Sequence, residues 1–113
     1  MNNPEKNLII DSISNLFSNL DSIDQKSTFQ FGNIDALQHS LLIIEKTDSL
    51  LHILWELRQQ ISKKSKLVES NNDIKDRNKY SGMVLGFSTA INIVKSFVAK
   101  FDDIQINDLE TLK

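Results

Sequence analysis

The stretch Tyr80 to Phe101, YSGMVLGFSTAINIVKSFVAKF, decides how the chain folds. Tyr80, Val84, Phe87, Ile91, Val94, Val98 and Phe101 recur in steps of 4, 3, 4, 3, 4 and 3, which places seven apolar side chains on one side of a helix. Lys95 is the single charge between Tyr80 and Ala99. At about 100° per residue the apolar arc spans roughly 140°, and Ile93, Gly86 and Gly82 widen it by roughly 60° more. A helix that covers one face of a core needs a stripe only a little over ~100° wide. This helix is therefore expected at the centre, packed on two sides. Gly82, Gly86 and Ala90 form a ridge of small residues four apart on its flank. An interior glycine costs a helix about 1 kcal/mol against alanine, which makes sense where a second backbone comes close. The ridge is read as a helix-packing or dimer contact.

Working outward, Glu69 to Asp73, ESNND, is the strongest turn signal, rich in residues that bond their own backbone. Ahead of it two stripes, Leu37, Leu41, Ile44, Leu51, Trp55 and Ile43, Leu50, Leu54, Leu57, Ile61, keep phase through Lys46-Thr47-Asp48-Ser49. That continuity predicts one unbroken helix over 34–68, a rod of about 52 Å. A compact chain of this size has a radius of gyration near 13 Å, so an elongated molecule is expected. Residues 24–33 read as a loop or a short extended piece. Ser27 to Phe31 alternates briefly there, and Gly32-Asn33 looks like a stop and a cap. At least one of Phe29 and Phe31 is expected to tuck under the bundle. Asn3-Pro4 opens a first amphipathic helix over about 4–23, with Ile9, Ile13, Leu16, Phe17, Leu20 and Ile23 on its apolar side. Past Asp103, Ile104 to Ile106 reads as extended, and Asn107 and Glu110 have capping-box spacing, which predicts a short element over 107–113.

The fold class is therefore all-α: one domain over 1–113, a long antiparallel hairpin (34–68 with 74–101), the first helix packed across it, in all a three- to four-helix bundle. Composition agrees. Of 113 residues 40% are hydrophobic, enough for a core, and three Gly with one Pro are too few for the turns of an all-β chain. No Cys means no disulfide, thiolate metal site or Cys nucleophile. MNNPEKNLII has no basic region ahead of an apolar core, so no signal peptide is expected, and no run reaches the ~20 apolar residues of a membrane span. The reading is a cytoplasmic chain with no membrane contact.

The net charge of −2 is unevenly spread. Residues 58–79 carry seven bases against three acids, a net +4, which leaves −6 for the remainder. Lys63, Lys64, Lys66, Arg77 and Lys79 bracket the turn, and they are the candidate partner-binding surface for an acidic protein. A solvated helix end favoured by the helix dipole is the plainer account of these lysines. Nucleic-acid binding has only the local +4 behind it and no reading module. Trp55 sits mid-stripe and is read as core, or else as an interface anchor.

Glu45, Asp48, His52 and Glu56 lie within about 80° of one another on the wheel of an unbroken helix. Such a set could share Mg²⁺ or Mn²⁺. The spacing Glu45-x-x-Asp48 resembles one acidic helix of the helical nucleotide pyrophosphohydrolases, for which Asp73-x-x-Asp76 would have to supply the second. Two acids of that pattern are missing and Asp73 falls at a turn, so no family is assigned. His39 has no acidic or nucleophilic neighbour three or four residues away, no G-x-S-x-G turn is present, and the glycines lie inside a helical pattern rather than in a phosphate loop. No cofactor or metal is expected. The functional expectation is a non-enzymatic helical interaction module (a small adaptor, chaperone or inhibitor), homodimeric because both long helices have apolar arcs near 200°. The alternatives are a metal-dependent all-α hydrolase and a nucleic-acid-binding accessory protein.

Overall fold

Apolar spacings of three and four become four α-helices in the computed structural model, which describes residues 3–101: α1 (Asn3–Asp21), α2 (Thr28–Lys46), α3 (Leu50–Ser70) and α4 (Ile74–Phe101). No strand occurs among the described residues. The short element expected over 107–113, and the extended piece before it, lie outside them. Each helix contributes to one core. α1 gives Ile9 and Ile13; α2 gives Ala36, Leu37 and Ile44; α3 gives Leu50, Ile53, Leu54 and Leu57; α4 gives Phe87, Ala90, Ile91 and Val94.

α4 is the central element, packing most extensively on α2, next on α3, and also on α1. Its wide apolar arc is therefore used within one chain. α3 folds back antiparallel on α4 across Asn71–Asp73, so that Ser65, Val68 and Glu69 lie beside Ser81 and Val84. α2 runs the other way, parallel to α4: Gly82 meets Phe29 and Asn33, and Gly86, one turn on, meets Asn33 and Ala36. α1 packs on α2 and α4.

Two expectations about helix ends fail for the same reason. The predicted rod over 34–68 is broken: α2 stops at Lys46 with Thr47 extended, and Ser49 starts α3 by accepting the His52 N–H at 3.4 Å on its Oγ. The apolar stripes keep phase across the gap because both helices face one core, which does not require a continuous backbone. With the rod broken, the longest extent is 43 Å and the radius of gyration 14.4 Å. The predicted loop over 24–33 is largely helix, because Ser27 and Gln30 form a capping box. Ser27 Oγ accepts the Gln30 N–H at 3.2 Å, and Gln30 Oε1 accepts the Ser27 N–H at 2.7 Å. Gly32 is not a stop but an interior position of α2.

Phe29 and Phe31, one of which was expected under the bundle, are both exposed, at 37% and 52%. The Lys26 ammonium lies 5.9 Å from the centre of the Phe31 ring, a cation–π distance. The turn before α4 is closed by Asp73, whose Oδ1 accepts the N–H of Lys75 at 2.8 Å and of Asp76 at 3.3 Å. Among the described residues, no helix is long and apolar enough to cross a membrane.

Candidate functional site

The four residues of the acidic patch are dispersed by the break after Lys46. Glu45 is in the last turn of α2, Asp48 is in the connection, and His52 and Glu56 belong to the first turns of α3. Lys6 of α1 occupies the junction, donating to the Glu45 carbonyl at 3.1 Å and lying 3.5 Å from the fully exposed Asp48 carboxylate. The His52 ring turns the other way, edge-on to Trp55 with centroids 6.1 Å apart. Among the described residues no three His, Asp or Glu side chains stand close enough to hold a metal ion. Pairing Asp48 with Asp73, which a two-helix acidic centre requires, also fails. They sit at opposite ends of α3, whose 21 residues span about 31 Å, and Asp73 is engaged as a helix cap.

The small-residue ridge is filled by α2. A Cβ placed on Gly82 would collide with the Phe29 carbonyl oxygen, and one on Gly86 would lie 2.6 Å from both the Ala36 Cβ and the Asn33 carbonyl oxygen. α2 answers with its own series, Gly32, Ala36 and Ser40, all buried. A Cβ on Gly32 would collide with the Lys79 carbonyl oxygen. The Ser40 hydroxyl is satisfied internally by donating to the Ala36 carbonyl at 2.7 Å. Gly82, Gly86 and Ala90 therefore face this intramolecular seam, with Ala90 fully buried. Gly32-x-x-x-Ala36-x-x-x-Ser40 is legible in the sequence once Gly32 is not taken as a stop. Trp55 is not part of the buried core. It is half-buried on the flank of α3, where it lines a surface cavity of about 320 Å³ with Ser49, Leu51 and His52.

The basic residues divide. Lys63 and Lys64 of α3, and Lys46 of α2 itself, are near enough to His39 on α2 for three ammonium groups to act on one imidazole at the cleft between these helices. Lys66, Arg77 and Lys79 are not among the charges that act on it. The His39 residue is exposed, but its ring leans edge-on against buried Phe87 of α4 at a centroid distance of 5.5 Å. Burial of that ring is the main reason its pKa is held below the ordinary 6.5. Lys64 acts in the same sense, Glu56 opposes, and Lys46 and Lys63 add to the depression. None of Lys46, Lys63 and Lys64 forms an ion pair among the described residues. His39 and Lys46 escape a search of positions three and four residues apart, because they stand seven apart on α2 and Lys63 and Lys64 lie on another helix.

The remaining feature is the outward side of α4. From Tyr80 to Val94 the chain has no charged residue, although only part of this segment is buried. Leu85 is 44% exposed, Asn92 is exposed, and Ser81, Ser88 and Thr89 are half-buried. A cavity of about 440 Å³ borders this face on the α1 side, between Ser12, Thr89, Asn92, Ile93, Ser96 and Phe97. A second, of about 260 Å³, borders it on the α3 side. No protein-family profile, curated protein or solved structure matches the chain.

Proposed function

We propose that the chain is a non-enzymatic helical interaction module that binds an acidic protein partner and works as a homodimer. The observation that supports the partner is the set Lys46, Lys63 and Lys64 around His39, three cations that form no ion pair among the described residues, with Glu56 the one charge there that opposes them at the ring. Unpaired ammonium groups on neighbouring helices raise the local potential and attract an acidic surface, which steers association more than it sets affinity. The surrounding surface offers apolar area for such a contact, with Leu42 47% and Phe31 52% exposed on α2. The cytoplasm is the compartment in which this reading places the chain, and it invokes no cofactor.

The test is affinity capture from lysate of the source cell with the wild type and with Lys46→Glu/Lys63→Glu/Lys64→Glu. A partner retained at fixed stoichiometry by the wild type, lost from the folded triple variant and weakened by salt is the expected result. Equal capture by both proteins removes the cleft as the binding surface. Exposed substitutions usually shift stability by no more than about 0.5 kcal/mol each, so the variant should keep its circular dichroism.

A further inference from the structure

We infer that the residues after Phe101, DDIQINDLETLK, fold back on their own chain and seat Ile104 and Ile106 in the cavity beside Trp55. The inference does not depend on the lysine cleft, and it removes Trp55 from the surfaces open to a partner.

The first argument is position. α3 and α4 run antiparallel, with Ser65 and Glu69 of α3 beside Ser81 and Val84 of α4. Leu51 and Trp55 lie about four whole turns back from Ser65 and Glu69, and so on the same side of α3. The same distance onward from Ser81 reaches Lys95 of α4. The cavity between Ser49, Leu51, His52 and Trp55 is thus level with the last two turns of α4, on the groove between these helices. The chain leaves α4 at Phe101, and each extended residue advances ~3.3–3.6 Å. Ile104 and Ile106 are therefore within reach of the cavity. The cavity on the α1 side of α4 is a poorer seat for isoleucine, because Ser12, Thr89, Asn92 and Ser96 line it.

The second argument is chemistry. Ile104, Ile106, Leu109 and Leu112 interrupt an otherwise polar segment, which solvation alone does not call for. Leu51 and Trp55, both half-buried, offer apolar surface for the isoleucines, and covering it removes such surface from water on both sides.

The third argument is charge. The segment carries Asp102, Asp103, Asp108 and Glu110 against Lys113, a net −3. Asp102 and Asp103 directly follow the C-terminal end of α4, where the helix dipole disfavours an acid. The start of α3 lies level with that end and has no acid in its own first turn. Turning toward α3 therefore exchanges a negative helix end for a positive one. Arg58, one turn beyond Trp55, and Lys95 add two bases along the same groove.

Trp55 is the one tryptophan of the chain, so its fluorescence reads the cavity directly. Acrylamide quenching and emission wavelength are measured on the full chain, at one pH, across a hundredfold concentration range. The wild type should be shielded at every concentration. Ile104→Asp/Ile106→Asp should raise the quenching constant about twofold or more and move the emission to the red, with helical circular dichroism kept. Ile104→Val/Ile106→Val should behave as the wild type, and Lys63→Glu/Lys64→Glu should leave quenching unchanged. Amide hydrogen exchange of the wild type should be about tenfold or more slower at 104–106 than in an unstructured peptide. Equal quenching of the wild type and a folded Ile104→Asp/Ile106→Asp overturns the inference. So does shielding lost on dilution, which assigns the cavity to a second copy. Shielding lost in Lys63→Glu/Lys64→Glu overturns it as well, by sending the acidic segment to the lysine cleft. Should Ile104→Asp/Ile106→Asp lose its helical circular dichroism, the exchange rates decide: protection at 104–106 upholds the inference, and unprotected amides overturn it. Partner capture through the lysine cleft stands or falls separately in every case.

Discussion

α4 meets α2 and α3 in two different ways. With α3 it shares a core of large side chains, Leu54 and Leu57 on one helix and Phe87 and Ile91 on the other, all but Ile91 1% exposed or less. Against α2 the backbones themselves come together, with glycines at positions 32, 82 and 86 lying where a Cβ would meet a carbonyl oxygen of the other helix. The first contact derives its stability from apolar area and filled volume. The second buries little side chain but gives many close atom contacts, and it leaves room for weak bonds from glycine Cα–H groups to carbonyl oxygens. One seam fails when atoms are removed and the other when atoms are added.

The largest effect is expected on the α3 side. Leu57→Ala leaves a cavity in a fully buried site, and such truncations cost about 2–5 kcal/mol. For a domain with a total stability of about 5–15 kcal/mol that is a severe loss, readable as a fall in the urea midpoint with an unchanged slope. A loss below about 1 kcal/mol would mean that this seam relaxes freely and is not held by volume.

Next comes the α2 side, where the opposite change is tested. Gly82→Ala and Gly86→Leu should each lower the melting temperature, since overpacking a tight contact costs about 1–3 kcal/mol. On an open helix face the same changes would be stabilising by up to about 1 kcal/mol through propensity. The sign alone distinguishes the two situations. Gly86→Ala combined with Ala36→Gly should recover part of the loss, because the 2.6 Å clash is between these two Cβ positions. A raised melting temperature for Gly82→Ala would break the comparison outright.

A smaller effect is expected where this seam begins. Ser27→Ala removes half of the capping box that starts α2, and losing an N-cap costs typically ~1 kcal/mol. The loss should appear together with faster amide exchange at Thr28–Phe31. If exchange there is unaffected, the helix starts later, and the contact between Phe29 and Gly82 cannot be part of the seam.

The all-α class, α4 and the turn before it are legible in the sequence because periodicity over 28 residues and a run of turn formers report the backbone directly. The break at Thr47–Ser49 is not, because periodicity records which side faces the core and both helices face the same one. Ser49 is a good N-cap, but no Gly or Pro enforces the stop. At Ser27 a short alternating run, Thr28 to Phe31, outweighed the Ser-x-x-Gln spacing, although one capping box fixes a helix start better than four alternating residues fix a strand. The basic cluster is half legible. Lys63 and Lys64 stand out by charge, but their grouping with Lys46 and His39 depends on how α2 and α3 sit on α4, which no spacing within one helix contains.

The smallest effect concerns that grouping and is a matter of pH. The folded pKa of His39 lies below its ordinary 6.5, chiefly through burial against Phe87 and then through Lys64. Between the folded value and 6.5 the unfolded chain binds more protons than the native one, so stability rises with pH across that window. The contribution of His39 is fully present above 6.5 and is lost as the pH falls through the folded value. Since the residue is exposed the slope should be shallow, and His39→Gln should flatten it. An NMR titration of the ring gives a more direct reading: its midpoint should lie below 6.5 and rise in Lys64→Gln, which removes the largest opposing charge. A midpoint above 6.5 would mean that Glu56 dominates the ring's surroundings. The lysines would then not converge on the cleft, and the contrast between a charged surface there and an uncharged one on α4 would be lost.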